Sequence, residues 1–135
     1  MERSVSVVTD VKDVSELLNG ASLEQVRLLP SEGRLRVELE LMRVMPERAT
    51  TVRRGLWTRM KTPWTKSRLT LHQIKEASVR RATDAPPEHT PLLACEAVPG
   101  GYTVTVTSPD GVQYVFKLEQ LHGQFTDIGN PIEAP

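Results

Sequence analysis

From Arg34 onward apolar and polar residues alternate strictly. Leu35, Val37, Leu39 and Leu41 fall on one side of an extended chain, and Arg34, Arg36, Glu38 and Glu40 on the other. A period of two marks a strand with one dry face. Ser22 to Leu29 supplies a partner strand, joined to it by Pro30-Ser31-Glu32-Gly33, a four-residue link rich in turn formers. The same logic returns later in the chain. Tyr102, Val104 and Val106 alternate with Thr103, Thr105 and Thr107, Ser108-Pro109-Asp110-Gly111 reverses direction, and Val112, Tyr114, Phe116 and Leu118 alternate again. Leu92 to Val98 ends in Pro99-Gly100-Gly101, so residues 92–120 read as a three-stranded β-meander. Arg68 to Ile74 adds a further strand, with a bulge expected at Gln73 before Ala77 and Val79 resume the alternation.

One short helix is expected within residues 10–20. Asp13-Val14-Ser15-Glu16 has the form of an N-terminal cap, and Asn19-Gly20 that of a left-handed stop. Ser4 to Val8 before it has the β-branched content of an extended segment. Pro86-Pro87-Glu88-His89-Thr90-Pro91 reads as a connector, because three prolines remove donors and fix φ. Residues 129–135 read as a loose tail. The fold class is therefore mainly β: an antiparallel meander sheet or small β-sandwich or barrel, with one short N-terminal helix and a long basic insertion. Residues 1–135 form one domain on this reading, with 22–82 as the first β half.

Composition narrows the picture in two ways. Aromatic residues are only 4% of the chain, so the core must be built from Leu and Val, with few rings to line a small-molecule site. Cys95 stands alone, which excludes an intramolecular disulfide and favours the cytoplasm. Thr9-Asp10 interrupts the valines near the N-terminus before a signal-like apolar run forms, and no stretch has the length of a membrane span.

The formal net charge of zero conceals a sorting of charge along the chain. Residues 1–33 carry −3, Arg34 to Ala82 carry +9, and Thr83 to Pro135 carry −6. Either the basic middle pairs with its acidic flanks inside the fold, or it presents a positive face to an external anion.

The excess concentrates in the insertion, Met45 to Lys66, too long for an ordinary structureless connection. Arg53, Arg54, Arg59, Lys61 and Lys66 lie here with Trp57 and Trp64, the two tryptophans of the chain. Three readings compete. As a structural element, the segment is a long hairpin or ordered loop whose arginines reach acidic neighbours and whose tryptophans cover the end of the sheet. As a nucleic-acid surface, it would set cations on phosphates and indoles on bases. As a membrane-surface helix opened by Pro46, it would line up Ala49, Val52, Leu56 and Met60, but Arg53 breaks that stripe.

No catalytic or metal-binding spacing accompanies it. His72, His89 and His122 form no HxH or HExxH pattern and read as separate surface or turn residues. Cys95 sits in an apolar run where a thiol behaves as a small hydrophobe, and Glu38 and Glu40 alternate with arginines as cross-strand partners do. Neither a cofactor nor a small-molecule ligand is implied. The expected function is a non-catalytic interaction module that engages an acidic protein partner, or a second copy of itself, through Arg53, Arg54, Trp57, Arg59, Lys61, Trp64 and Lys66, since Arg and Trp dominate interface energetics. Nucleic-acid binding through the same segment is the alternative, and an enzyme would need titratable groups that converge only in the fold.

Overall fold

The computed structural model describes residues 2–18, 21–81, 93–108 and 110–132. Its elements in chain order are β1 (Glu2–Val5), α1 (Val8–Leu17), β2 (Ser22–Ser31), β3 (Arg34–Val44), a 3-10 turn (Pro46–Arg48), β4 (Thr50–Arg54), β5 (Trp57–Lys61), β6 (Trp64–Arg81), β7 (Leu93–Val98), β8 (Gly101–Thr107), β9 (Val112–Leu118) and β10 (Gly123–Asp127). All pairings between these strands are antiparallel, and eight of them form one sheet that curls into a half-barrel. The mainly β, antiparallel architecture read from the alternation is what the chain adopts. Strands β4 and β5 stand apart as a two-stranded sheet of their own.

Strand β6 organises the curl, because it is long enough to serve two groups of neighbours. Its first part runs between β3 and β10, with Leu71 opposite both Val37 and Gly123. Ile74 is then paired with Leu35 of β3 and with Leu118 of β9, so β9 and β10 lie in succession along the same edge of β6. Residues 119–121, between them, belong to neither pairing. Opposite this break Gln73 takes φ 56°, a left-handed conformation that a non-glycine residue rarely adopts, and the register slips on both sides of it. The bulge expected at Gln73 is thus the corner of the sheet.

The concave side is filled by the alternating residues that the pattern marked. Val37, Leu39, Leu41, Leu69, Leu71, Val104, Phe116 and Phe125 are buried there. Helix α1 packs against β7 and β1 and sends Val11 and Val14 into the same core. Each large apolar side chain so enclosed contributes roughly 1.5–3 kcal/mol.

Three local expectations change. The helix starts at Val8, ahead of Asp13, because the Asp10 carboxylate reaches back to accept N–H bonds from Ser6 (2.9 Å) and Val7 (3.1 Å) and so fixes the chain where it enters the first turn. Those backbone bonds also hold the Asp10 carboxyl below its ordinary pKa. The link between β2 and β3 is two residues long, not four: Ser31 pairs with Arg34, and Glu32 and Gly33 both have positive φ, as a type I′ turn requires. Pro30 is tolerated inside β2 because β2 is an edge strand with one neighbour. The tail is tied as far as Ile132, whose N–H and C=O bond to Trp64 at 2.7 Å each, while Gly129 donates to the Lys66 carbonyl. Asn19-Gly20 and the proline connector 86–91 lie outside the described residues, as do Leu92 and 133–135.

Gly123 sits where β10 and β6 approach closely, since a Cβ there would collide with the Thr70 carbonyl and the Leu71 side chain. Gly123→Ala should lower stability by about 1–3 kcal/mol through overpacking at the β6–β10 pairing. Equilibrium denaturation in urea checks this.

Candidate functional site

The insertion folds into a β-ribbon. Thr50 pairs with Lys61, Thr51 with Met60, Arg53 with Thr58 and Arg54 with Trp57, which leaves Gly55-Leu56 as the turn. Gly55 has φ 60°, and a glycine at the first central position is what a type II′ hairpin turn demands. Among the described residues the ribbon pairs with no other strand. Its apolar side chains are therefore in water: Leu56 is 102% exposed, Trp57 82% and Met60 69%. Alternation puts Trp57 and Lys61 on one face of the ribbon, and Arg53 and Met60 on the other, with Leu56 at the apex. An insertion that served only to cover the end of the sheet would bury both tryptophans; Trp57 is exposed instead, because β4 and β5 satisfy each other's hydrogen bonds as a separate ribbon.

The base of the ribbon is anchored by a buried charge. Arg43 continues the inward set Val37, Leu39, Leu41 one step further along β3, and its side chain is 0% exposed. Its Nε donates to Asp127 Oδ1 at 2.9 Å and its Nη2 to Asp127 Oδ2 at 2.9 Å, a bidentate pair with the last residue of β10. Nη2 also reaches Glu47 Oε1 at 2.6 Å, in the 3-10 turn that leads into β4. Ser67, on β6 between them, donates its hydroxyl to Asp127 Oδ1 at 2.6 Å. Three strands and the root of the ribbon therefore meet at one ion pair. Burial alone would push the Asp127 carboxyl up; the hydrogen bonds from Arg43 and Ser67 outweigh it and bring it down to about 2. Asp127 in turn holds the Arg43 guanidinium charged against its own desolvation, with help from Glu47. Arg43 likewise draws the Glu47 carboxyl below its ordinary value.

The other candidate residues divide by position. Trp64 and Lys66 belong to β6, not to the ribbon. Trp64 is half-buried under the Ile132 bridge, and Lys66 approaches Glu40 Oε2 at 3.4 Å. Arg53 and Lys61 are exposed on the ribbon, and among the described residues no ion pair engages either. Arg54 and Arg59 occupy β4 and β5 opposite Trp57 and Val52.

Most of the remaining charge is spent inside the fold. Arg68 donates to Glu40 at 3.0 Å, Arg27 and Arg36 approach Glu38 at 3.8 and 3.6 Å, and Arg34 approaches Glu119 at 3.4 Å. The cross-strand role expected of Glu38 and Glu40 is seen directly.

His72 and His122, taken as unrelated in the sequence, converge. Their ring centroids are 4.9 Å apart, tilted by 42°, at the corner of β6 beside an open polar cleft of about 420 Å³ lined by Ser31, Glu32, Arg34 and Gln73. Fifty residues separate them, and the register of β10 on β6, with Gly123 opposite Leu71, brings them together, so no spacing in the sequence could have signalled it. Among the described residues no group of three or more His, Cys, Asp or Glu is placed to hold a metal. Cys95 is half-buried, and burial pushes its thiol up, away from the reactive thiolate.

Arg43→Ala leaves Asp127 buried without its main counter-charge and should cost about 3–5 kcal/mol, read as a fall in the denaturation midpoint. A carboxyl depressed from 3.8 to about 2 contributes roughly 2 kcal/mol that is present above pH 4 and lost as pH falls toward 2. Acid titration of stability should show that loss in the native chain and not in Asp127→Asn. Comparison of the chain with protein-family models, with curated proteins and with solved structures finds no match.

Proposed function

We propose that the protein is a non-catalytic binding module that engages an acidic protein partner through the β4–β5 ribbon. The observation that carries this reading is the tip: Leu56, Trp57 and Met60 all stand in water on an element that, among the described residues, pairs with no strand outside itself. A two-stranded ribbon by itself is marginal in water, and apolar side chains there gain nothing until a partner covers them. Apolar groups occur on both faces and at the apex, so a flat surface would cover only part of them, whereas a groove that receives the tip covers all three. Arg53 and Lys61 flank the apolar groups without internal counter-charges among the described residues, which suits an acidic rim around that groove. Arg43, Asp127 and Glu47 fix the root from which the tip projects. The lone cysteine suits a reducing compartment, and we place the module in the cytoplasm.

An exposed indole beside lysine is also the chemistry of a base-stacking platform, and one experiment separates the two. A photo-crosslinking residue in place of Thr58 reports in living cells on whatever lies against the ribbon. We expect a protein adduct, lost with Leu56→Ser/Trp57→Ala and with Arg53→Glu/Lys61→Glu. These surface changes should alter stability by less than about 0.5 kcal/mol. An adduct with a second copy of the chain would identify self-association. Adducts unaffected by both double substitutions, or adducts with nucleic acid alone, would overturn the proposal.

A further inference from the structure

Strand β6 runs on past its neighbour β3. Ile74 is flanked by Leu35 on one side and Leu118 on the other, but beyond it only β9 continues, from Lys117 opposite Glu76 to Val112 opposite Arg81. On the other side β3 has already turned back into β2, since Ser31 pairs with Arg34. Among the described residues, then, 76–81 have a strand along one edge and none along the other. A strand with one neighbour turns the N–H and C=O of every second residue outward, so this edge carries an unused ladder of hydrogen-bonding groups. Its side chains are in water too: Glu76, Ser78 and Arg80 are exposed, and Val79 is 63% exposed.

The remaining edges are blunted. β2 carries Pro30 and a register slip between Leu23 and Gln25, β1 is four residues long, and α1 packs against β7. The end of β6 has only its charges as a guard, and they follow a self-complementary order. In Glu76-Ala77-Ser78-Val79-Arg80, a two-fold axis through Ser78 sets Glu76 of one copy against Arg80 of the other, twice over, and Ala77 against Val79. Like residues meet only at Ser78, which is small and uncharged.

We propose that this edge is a homodimer interface, in which two copies of the chain join by antiparallel pairing of residues 76–80 about Ser78. Adding a strand to an open edge is a common mode of recognition, and a pattern that complements itself on reversal is what a two-fold interface requires. The charges are available for it. Glu76 approaches Lys117 only at 3.8 Å with both side chains more than half exposed, a pair of little energetic weight. Arg80 donates its Nε to Gln113 at 2.8 Å, and among the described residues no carboxylate engages its guanidinium. Just outside the window Lys75 would face Arg81, but each has an acid at hand, Glu119 at 3.8 Å from Lys75 and Asp110 within electrostatic reach of Arg81. Pairing stops at Ile74, where β3 occupies the edge. The ribbon takes no part in this contact.

Sedimentation velocity on the full chain over a range of concentrations tests the interface. The native chain should dimerise reversibly. Glu76→Arg and Arg80→Glu each set like charges against one another at both symmetry-related contacts, and each should raise the dissociation constant about tenfold. An equal mixture of the two variants restores opposite charges at both contacts and should dimerise as the native chain does, which also shows that both variants are folded. Leu56→Ser/Trp57→Ala should leave the dimer intact. A native chain that stays monomeric at millimolar concentration, a dimer indifferent to either charge reversal, variants that remain apart when mixed, or a dimer lost with the ribbon substitutions would each overturn the proposal.

Discussion

A guanidinium in a dry interior is tolerable only if its charge is met there, and the ion pair of Arg43 with Asp127 meets it. The pair is costly to form, because both groups leave water, and costly to break, because either alone would be a buried charge. Its value lies in what it fixes. Arg43 is on β3, Asp127 ends β10, Ser67 on β6 holds the shared carboxylate, and Glu47 brings in the start of the insertion. Apolar packing among leucines and valines is nearly indifferent to small slips, whereas a bidentate pair with two further partners permits one arrangement. The polar end of the barrel thus sets where the ribbon begins.

Two points along β6, its start and its middle, show different solutions to one problem. A long strand that must serve two sets of neighbours either twists or breaks its pairing. Near Trp64 it stays regular and is covered by the chain around Ile132; near Gln73 it bulges, and its partner edge is interrupted. The start is held by charge and backbone bonds. At the bulge the His72 N–H donates to the His122 carbonyl, one step past the Leu71–Gly123 pairing.

The alternation of Leu35 to Leu41, Tyr102 to Thr107 and Val112 to Leu118 determined the mainly β class, the strands and their dry faces, because side-chain direction in a strand is a local property with period two. The same counting, carried from Leu41 to the next inward position, lands on Arg43, so the buried arginine was within reach of the pattern even though its partner was not. Turn chemistry at Gly100 and the bulge at Gln73 were likewise local.

What the tertiary structure alone decided are the meetings of distant residues. Asp127 opposite Arg43, His122 against His72, Ile132 on Trp64 and Leu118 and Gly123 sharing one edge of β6 all depend on which strands become neighbours and in what register. Neither periodicity nor spacing encodes that choice, since it is made by the sum of packing and hydrogen bonding over the whole sheet. Exposure of Trp57 belongs with them: a tryptophan next to cations reads the same in sequence whether it roofs a core or faces water, and only the isolation of the ribbon distinguishes the two.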